Sequence, residues 1–170
     1  MPTIHRCELP AGAFLQTYVD SGAYADCYVT DIAPPVTQAA FVEAFYTTRV
    51  FKLERLILRL FVSRPSTDAQ ARELANGTLD TFAAWSVERR APDQLLLSDF
   101  TGRTKSWLMV ATPEGSMSST TRLYFGSAVV PVKSRTTGRS ELGIVFRGLL
   151  GFHQRYSRIL LGAARARLSR

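Results

Sequence analysis

The 170-residue sequence has few cysteines and no long apolar run, and each absence excludes a class of protein. Two cysteines, Cys7 and Cys27, are too few for a disulfide scaffold. The longest apolar-rich stretch, residues 50–62, is interrupted by four charged residues and is therefore not a membrane-spanning helix. The N-terminus has no apolar run behind a basic start, so it predicts no secretion signal. We expect a cytoplasmic protein.

Motifs for metals, nucleotides and nucleophiles are also missing. The histidines and cysteines do not show zinc-ligand spacing, and the glycines at 143, 148 and 151 follow neither a Walker nor a Rossmann pattern. No nucleophile elbow occurs. The sequence thus predicts neither a metal nor a cofactor. Cys7 is expected on a loose terminus, and Cys27, inside a predicted strand, is expected to be a small core residue.

The net charge of +7 is spread along the chain and becomes dense only at Arg165, Arg167 and Arg170. No Lys/Arg-rich run of the nucleic-acid-binding type occurs, so we expect no nucleic-acid partner. We interpret the charge as a solvated basic surface, and peripheral contact with anionic lipid stays open, as does the oligomeric state. The length and the 46% hydrophobic content predict one globular domain over residues 1–170.

The first half of the chain predicts strands followed by helices. Aromatic and β-branched residues at 14–19 and 24–32 surround Asp20-Ser21-Gly22, a pattern typical of one or two strands with a turn. Thr37 can cap a helix that begins at Gln38, and residues 49–62 form a second amphipathic segment. A third helix begins near residues 66–68 and ends at Asn76-Gly77.

The second half predicts an antiparallel meander followed by a long helix. Residues 81–90, 94–100, 104–112 and 121–132 are four predicted strands, and their short connections make an antiparallel meander and not a parallel sheet. In the last strand Arg122 and Tyr124 alternate with Leu123 and Phe125, and the pattern leaves open which pair faces the core. The fold class is therefore α+β, with an antiparallel sheet wrapped around the terminal helix.

The terminal helix, which runs to about Leu168, has the clearest amphipathic pattern. At 100° per residue, one mostly apolar arc is formed by Leu149, His153, Tyr156, Leu160 and Ala163. The opposite arc carries Arg147, Arg155, Arg158 and Arg165. We expect the apolar arc to pack on the sheet and the arginines to meet water or anions.

The hairpin over residues 94–110 predicts which side chains share a face. A two-residue turn at Thr101-Gly102 pairs Phe100 with Arg103. The face that lacks Lys and Arg is expected to point inward, and it holds Leu95, Leu97, Asp99, Thr104, Ser106 and Leu108. Glu88 joins this face if Arg89 pairs with Gln94.

The polar side chains on these inward faces are the candidate ligand-binding residues, namely His153, Tyr156, Asp99, Ser106 and Glu88. The imidazole would be a base or a hydrogen-bond donor, the tyrosine hydroxyl would orient a ligand, and a buried carboxylate must be paired or protonated. Each has a structural alternative. His153 and Tyr156 could each be a core residue with one backbone partner, and Asp99 could serve the turn.

Four segments of the chain resemble a bacterial domain family of unknown function within the START-like, helix-grip superfamily (SRPBCC). They are Tyr24-Ala25-Asp26-Cys27-Tyr28, residues 45–58, Trp107-Leu108 and Phe146-Arg147-Gly148-Leu149-Leu150-Gly151-Phe152-His153. The order of strand, paired helices, meander and long terminal helix is also similar to that superfamily. The resemblance implies a cavity between the sheet and the terminal helix, usually for an apolar ligand. It implies no single reaction, because members include carriers, cyclases, hydrolases and assembly factors.

Three functions remain open at the level of sequence. The first is binding of a small, mostly apolar or amphipathic molecule in the cavity. The second is an enzyme of the cyclase, aromatase or hydrolase kind that uses His153, Tyr156, Asp99 or Glu88 as acid and base. The third is an interaction protein with a filled core and a basic surface. A cavity of a few hundred Å³ favours the first two over the third.

Overall fold

The computed structural model describes residues 3–33, 35–53, 66–113, 119–133, 140–141 and 144–170, with side chains omitted at 132–133, 140–141 and 144–153. Within this part of the chain, seven antiparallel strands form one open sheet against which the C-terminal helix packs. This confirms the predicted α+β fold class. Most of the second amphipathic segment, residues 54–62, lies outside the described residues, although residues 49–53 are helical.

The strands of the main sheet are β1 His5–Arg6, β2 Tyr24–Ile32, β3 Thr81–Phe82, β4 Trp85–Arg90, β5 Gln94–Asp99, β6 Thr104–Ala111 and β7 Thr121–Val129. Their order in space is β1-β2-β7-β6-β5-β4-β3. A separate two-stranded pair is formed by β8 Val132–Lys133 and β9 Ser140–Glu141. The helices are α1 Gln16–Asp20, α2 Gln38–Tyr46, α3 Asp68–Asn76 and α4 Ile144–Leu168. None of the helices in the described residues is long and apolar enough to cross a bilayer.

Local sequence signals determine the ends of the helices as predicted. The Thr37 hydroxyl accepts a hydrogen bond from the Ala40 N–H and begins α2. Thr67 and Gln70 form a reciprocal capping box at the start of α3. Gly77 ends α3 in the left-handed conformation, at φ 79°, which glycine adopts without steric cost.

The concave face of the sheet carries the main core. Leu95, Leu97 and Leu108 point to this face, as predicted, and are fully buried under the helices. Leu123 and Phe125 also point inward, which decides the open question about β7 and places Arg122 and Tyr124 on the other face. Helix α4 lies over β2 and β7 and packs beside α2.

The buried stripe of α4 is displaced from the predicted arc. Leu160 is buried, as predicted, but the other fully buried residues are Ser157, Leu161 and Ala164, whereas Ala163 is partly exposed. The helix is therefore turned so that Ser157 faces the sheet more directly than Tyr156. The predicted burial of Leu149 lies outside the described side chains.

The convex face of the sheet is covered by the N-terminal segment, which the sequence pattern did not indicate. Ala13, Phe14 and Leu15 are consecutive buried residues that pack on Trp107 and Leu96. Of the one or two strands predicted here, only the strand at residues 24–32 forms, because residues 14–19 turn into α1 and lie on the sheet instead of pairing with it. Three adjacent buried side chains do not match the alternating exposure of a strand with one solvated face.

The side-chain amide of Gln94 fastens this segment to the sheet. Its Oε1 accepts hydrogen bonds from the Phe14 backbone N–H at 3.0 Å and from the Trp107 indole Nε1 at 2.9 Å. Its Nε2 donates to the Gly12 carbonyl at 3.2 Å. One buried amide thereby satisfies backbone groups that a β-ladder would otherwise have to pair.

Gly126 permits the close approach of the two layers on the convex face. A methyl group at this position would lie 2.9 Å from both Leu15 Cδ2 and Trp107 Cε3. We expect Gly126→Ala to lower the free energy of unfolding by about 1 to 3 kcal/mol, because the fully buried indole has no room to move. The measurement is urea denaturation followed by circular dichroism.

Gly162→Ala is the matched control. In α4 the added methyl group meets only the end of the Ile4 side chain, at 3.1 Å, and alanine favours the helix by about 1 kcal/mol over glycine. This variant should be neutral or stabilised. Equal losses in both variants would show that the layers are not in close contact at Gly126.

Candidate functional site

A cavity of about 420 Å³ lies between the concave face of the sheet and the helices. The sheet contributes Trp85, Thr104, Lys105, Ser106, Phe125 and Ser127. The helical side contributes Phe45, Val50, Phe51, Leu53, Tyr156, Ser157 and Leu160. The cavity is thus bordered by the sheet, α2, the helical residues 49–53 and α4, and its volume is within the range of small-molecule sites.

A row of cross-strand neighbours crosses the sheet beneath the cavity. It runs from Leu97 on β5 through Ser106 on β6 and Ser127 on β7 to Asp26 on β2, and the two serines of this row line the cavity. Ser127 Oγ donates to Asp26 Oδ1 at 2.7 Å, and Ser106 Oγ lies 3.1 Å from the Tyr46 hydroxyl. Asp26 is only 3% exposed. Two serine hydroxyls on the cavity floor thus stand in one row with a buried carboxylate beside them.

By contrast, two polar atoms on other residues that line the cavity have no hydrogen-bond partner in the described structure. They are the Ser157 hydroxyl, on a residue that is 0% exposed, and the indole Nε1 of Trp85. A buried polar group without a partner costs about 1 to 3 kcal/mol. Both atoms belong to residues that line the cavity, but neither atom is itself accessible, so a rotation of the side chain is needed before it can bond to a bound molecule.

Two of the predicted site residues meet at this cavity. Ser106 lines its floor and Tyr156 lines its helical wall. Asp99 does not contribute its carboxylate to the cavity. Its Oδ1 accepts the backbone N–H groups of Arg103 and Thr104, at 2.8 and 3.0 Å, so it serves the β5–β6 turn as in the structural alternative.

The predicted inward orientation of Glu88 is wrong. Arg89 pairs with Leu96 and not with Gln94, and a β-bulge between Val87 and Arg89 makes Glu88 the extra residue of this strand. The Glu88 side chain consequently points to the convex face. There its carboxylate accepts hydrogen bonds from the Tyr18 hydroxyl and, at 2.8 Å, from Lys105 Nζ.

Tyr18, Glu88 and Lys105 form a cluster on the convex face that holds α1 against the sheet. The same cluster keeps the charged ammonium group of Lys105 out of the cavity. Partial burial disfavours the Glu88 carboxylate, but the hydrogen bonds from Lys105 and Tyr18 outweigh that effect and lower the pKa of Glu88. Burial likewise opposes the charge on Lys105, but the interactions with Glu88 and Tyr18 together outweigh it and raise the pKa of Lys105. Lys105 therefore contributes to the cavity wall while its ammonium group stays on the opposite face, bound to Glu88 and Ser98.

The imidazole of His153 lies outside the described side chains, so its predicted role stays a prediction. Sequence reasoning missed Asp26, Ser127 and Ser157. Asp26 did carry a signal, since aspartate is depleted within strands and this one is the third residue of β2. Ser127 and Ser157 carried no signal of their own, because their positions depend on the facing of β7 and on the rotation of α4.

No family model matches this chain, and no curated protein or solved structure is significantly similar to it. Among the described residues, no group of three or more His, Cys, Asp or Glu side chains could hold a metal ion. The geometry of the cavity is therefore the main indication of function.

Proposed function

We propose that this chain is a START-like, helix-grip domain that binds a small, mostly apolar molecule in the cavity between the sheet and α4. The observation that carries the proposal is a cavity of about 420 Å³ with aromatic and aliphatic walls and few polar atoms. A domain that served only as an interaction surface would gain stability from filling this space. The resemblance in element order and in residues 24–28 supports the same assignment.

The chemistry of the lining favours an uncharged ligand with one or two hydrogen-bond acceptors. Once rotated toward the cavity, the Ser157 hydroxyl and the Trp85 Nε1 can each donate, and neither has a partner in the described structure. The described lining contains no free cation, because the ammonium group of Lys105 is engaged on the convex face. A carbonyl or hydroxyl on an apolar skeleton fits these donors, whereas a carboxylate would lack a counter-charge.

The test is binding of Nile red, a neutral apolar dye whose fluorescence rises in apolar surroundings. Wild-type protein should bind the dye, and Leu53→Trp should weaken binding at least about tenfold, a loss of about 1.4 kcal/mol. Leu53 lines the cavity but is 60% exposed, so a larger side chain can narrow the entrance without disturbing the core. Ser106→Phe, which fills the floor, should act in the same direction.

Ile159→Trp is the control variant. Ile159 is 55% exposed on α4 and does not line the cavity. The affinity of the variant protein for the dye should therefore equal that of the wild type. Absence of dye binding to the wild type, or equal affinity in all four proteins, would reject the proposal. Native mass spectrometry of the purified protein would independently detect a retained ligand.

Asp26 favours a second candidate function, acid–base catalysis on the bound molecule. Its buried carboxylate accepts the hydroxyl of Ser127, which lines the cavity, and could hold that hydroxyl in one orientation. The cyclase, aromatase or hydrolase class predicted from sequence would use such a group. Asp26→Asn should then abolish turnover of a bound substrate while dye affinity stays unchanged, which separates this role from binding.

A further inference from the structure

The thiols of Cys7 and Cys27 lie together at the edge of the sheet, although the sequence pattern predicted a loose terminus for Cys7. Their sulfur atoms are 3.3 Å apart, and the Cys7 N–H donates to the Cys27 carbonyl at 3.0 Å. The pairing of His5 with Val29 and of Arg6 with Tyr28 continues to this pair. The expectation for Cys7 is therefore wrong, because backbone pairing to β2 holds it in place.

The position of the pair in the sheet suits a disulfide. Directly opposite residues of antiparallel strands have Cα atoms about 4.5 to 5.5 Å apart, with side chains on the same face. Disulfides require Cα separations of about 4.4 to 6.8 Å. Bond formation therefore needs rotation of the two side chains and no rearrangement of the backbone.

The two thiols differ in access and in chemistry. Both cysteines border an open cleft of about 660 Å³, but Cys7 is partly exposed there, whereas Cys27 is only 2% exposed. The hydrogen bond with Cys27 lowers the pKa of Cys7, against the opposing effect of burial, and the charge of Arg122 acts in the same direction. The same bond, together with burial, raises the pKa of Cys27. Cys7 is thus the attacking thiol and Cys27 the resolving one.

We propose that Cys7 and Cys27 form a dithiol–disulfide site that reacts with small disulfides such as oxidised glutathione. The Cys7 thiolate attacks one sulfur of the small disulfide, which forms a mixed disulfide and releases one thiolate. Cys27 loses its proton and attacks the Cys7 sulfur, which forms the Cys7–Cys27 bond and releases the second thiolate. The protein loses two electrons and two protons, and the small disulfide gains them as two thiols.

The bond would close a loop that contains α1 and the residues that cover the convex face. In the reduced chain this segment is held by the short strand β1, by Gln94 and by the Tyr18–Glu88 contact. A cross-link at the base of the loop restricts its unfolded states. The oxidised protein should therefore melt about 5 °C or more above the reduced protein.

The experiment is titration of the full chain with oxidised glutathione, followed by maleimide labelling and intact mass spectrometry. The wild type should lose both reactive thiols and about 2 Da, the mass of two hydrogens, and dithiothreitol should restore both thiols. Cys27→Ser should stop at one glutathione adduct, a gain of about 305 Da on Cys7. Cys7→Ser should stay unmodified, because Cys27 is buried.

A non-reducing peptide map of the wild type gives a second readout that needs no variant. It should contain one cross-linked peptide joining Cys7 to Cys27. The proposal is overturned if the wild type keeps two free thiols, accumulates a stable mixed disulfide, or forms mainly chain-to-chain dimers. A lower melting temperature after oxidation would also overturn the stabilising role of the bond.

Discussion

Replacement of Leu160 by alanine is expected to lower the free energy of unfolding by about 2 to 5 kcal/mol. Leu160 is 3% exposed and belongs to the main core between α4 and the sheet. It also forms part of the cavity wall, so its truncation would enlarge a space that the surrounding side chains do not fill. Chemical denaturation at constant m-value gives the measurement.

The neighbouring residue provides a matched control for this prediction. Ile159 is 55% exposed, so Ile159→Ala removes an aliphatic side chain of the same size at little cost in burial. Alanine is also the better helix former, and we expect a change within about 0.5 kcal/mol. Arg158→Ala, on the solvent-facing arc, should also cost little. A loss at Ile159 or Arg158 that equals the loss at Leu160 would contradict the facing of α4.

Gln94→Met is expected to destabilise the protein by about 2 to 4 kcal/mol, although methionine has nearly the same volume. The substitution leaves the buried Trp107 Nε1 and the Phe14 backbone N–H without an acceptor, and the Gly12 carbonyl without its donor. Each buried polar group without a partner costs about 1 to 3 kcal/mol, and the losses are not fully additive because the segment can detach.

Hydrogen exchange distinguishes this mechanism from a general loss of packing. Amides of residues 12–20 should exchange faster in Gln94→Met, while those of β2 and β7 keep their protection. Gln16→Met is the control, since Gln16 is exposed and its hydrogen bond to Asp20 lies on the surface. Uniform loss of protection across the sheet would contradict the role of Gln94 as a local clamp.

Much of the fold follows from local sequence signals. The caps at Thr37 and Thr67, the left-handed Gly77 and the Thr101-Gly102 turn each depend on residues within a few positions in the chain. The register of β5 with β6, in which Leu97 pairs with Ser106, also follows from that turn. These elements were predictable because their hydrogen-bond partners are close in sequence.

The candidate site was predictable only in part. Ser106 and Tyr156 line the cavity, as their faces indicated, while a one-residue bulge turned Glu88 to the other side of the sheet. No periodicity reveals such a bulge, because the pattern of residues 85–90 is consistent with regular pairing as well. Ser157 and Ser127 entered the site through the rotation of α4 and the facing of β7, which packing determines.

By itself the sequence determined the α+β class, the antiparallel meander and the long amphipathic terminal helix, because hydrophobic periodicity and turn chemistry are local properties. Only the tertiary structure decided what covers the convex face, since Phe14 and Gly12 are each about 80 residues away in the chain from Gln94, their hydrogen-bond partner. It also decided that Cys7 meets Cys27 and that Asp26 meets Ser127. Such pairings depend on strand order and register, which non-local packing fixes after the local elements have formed.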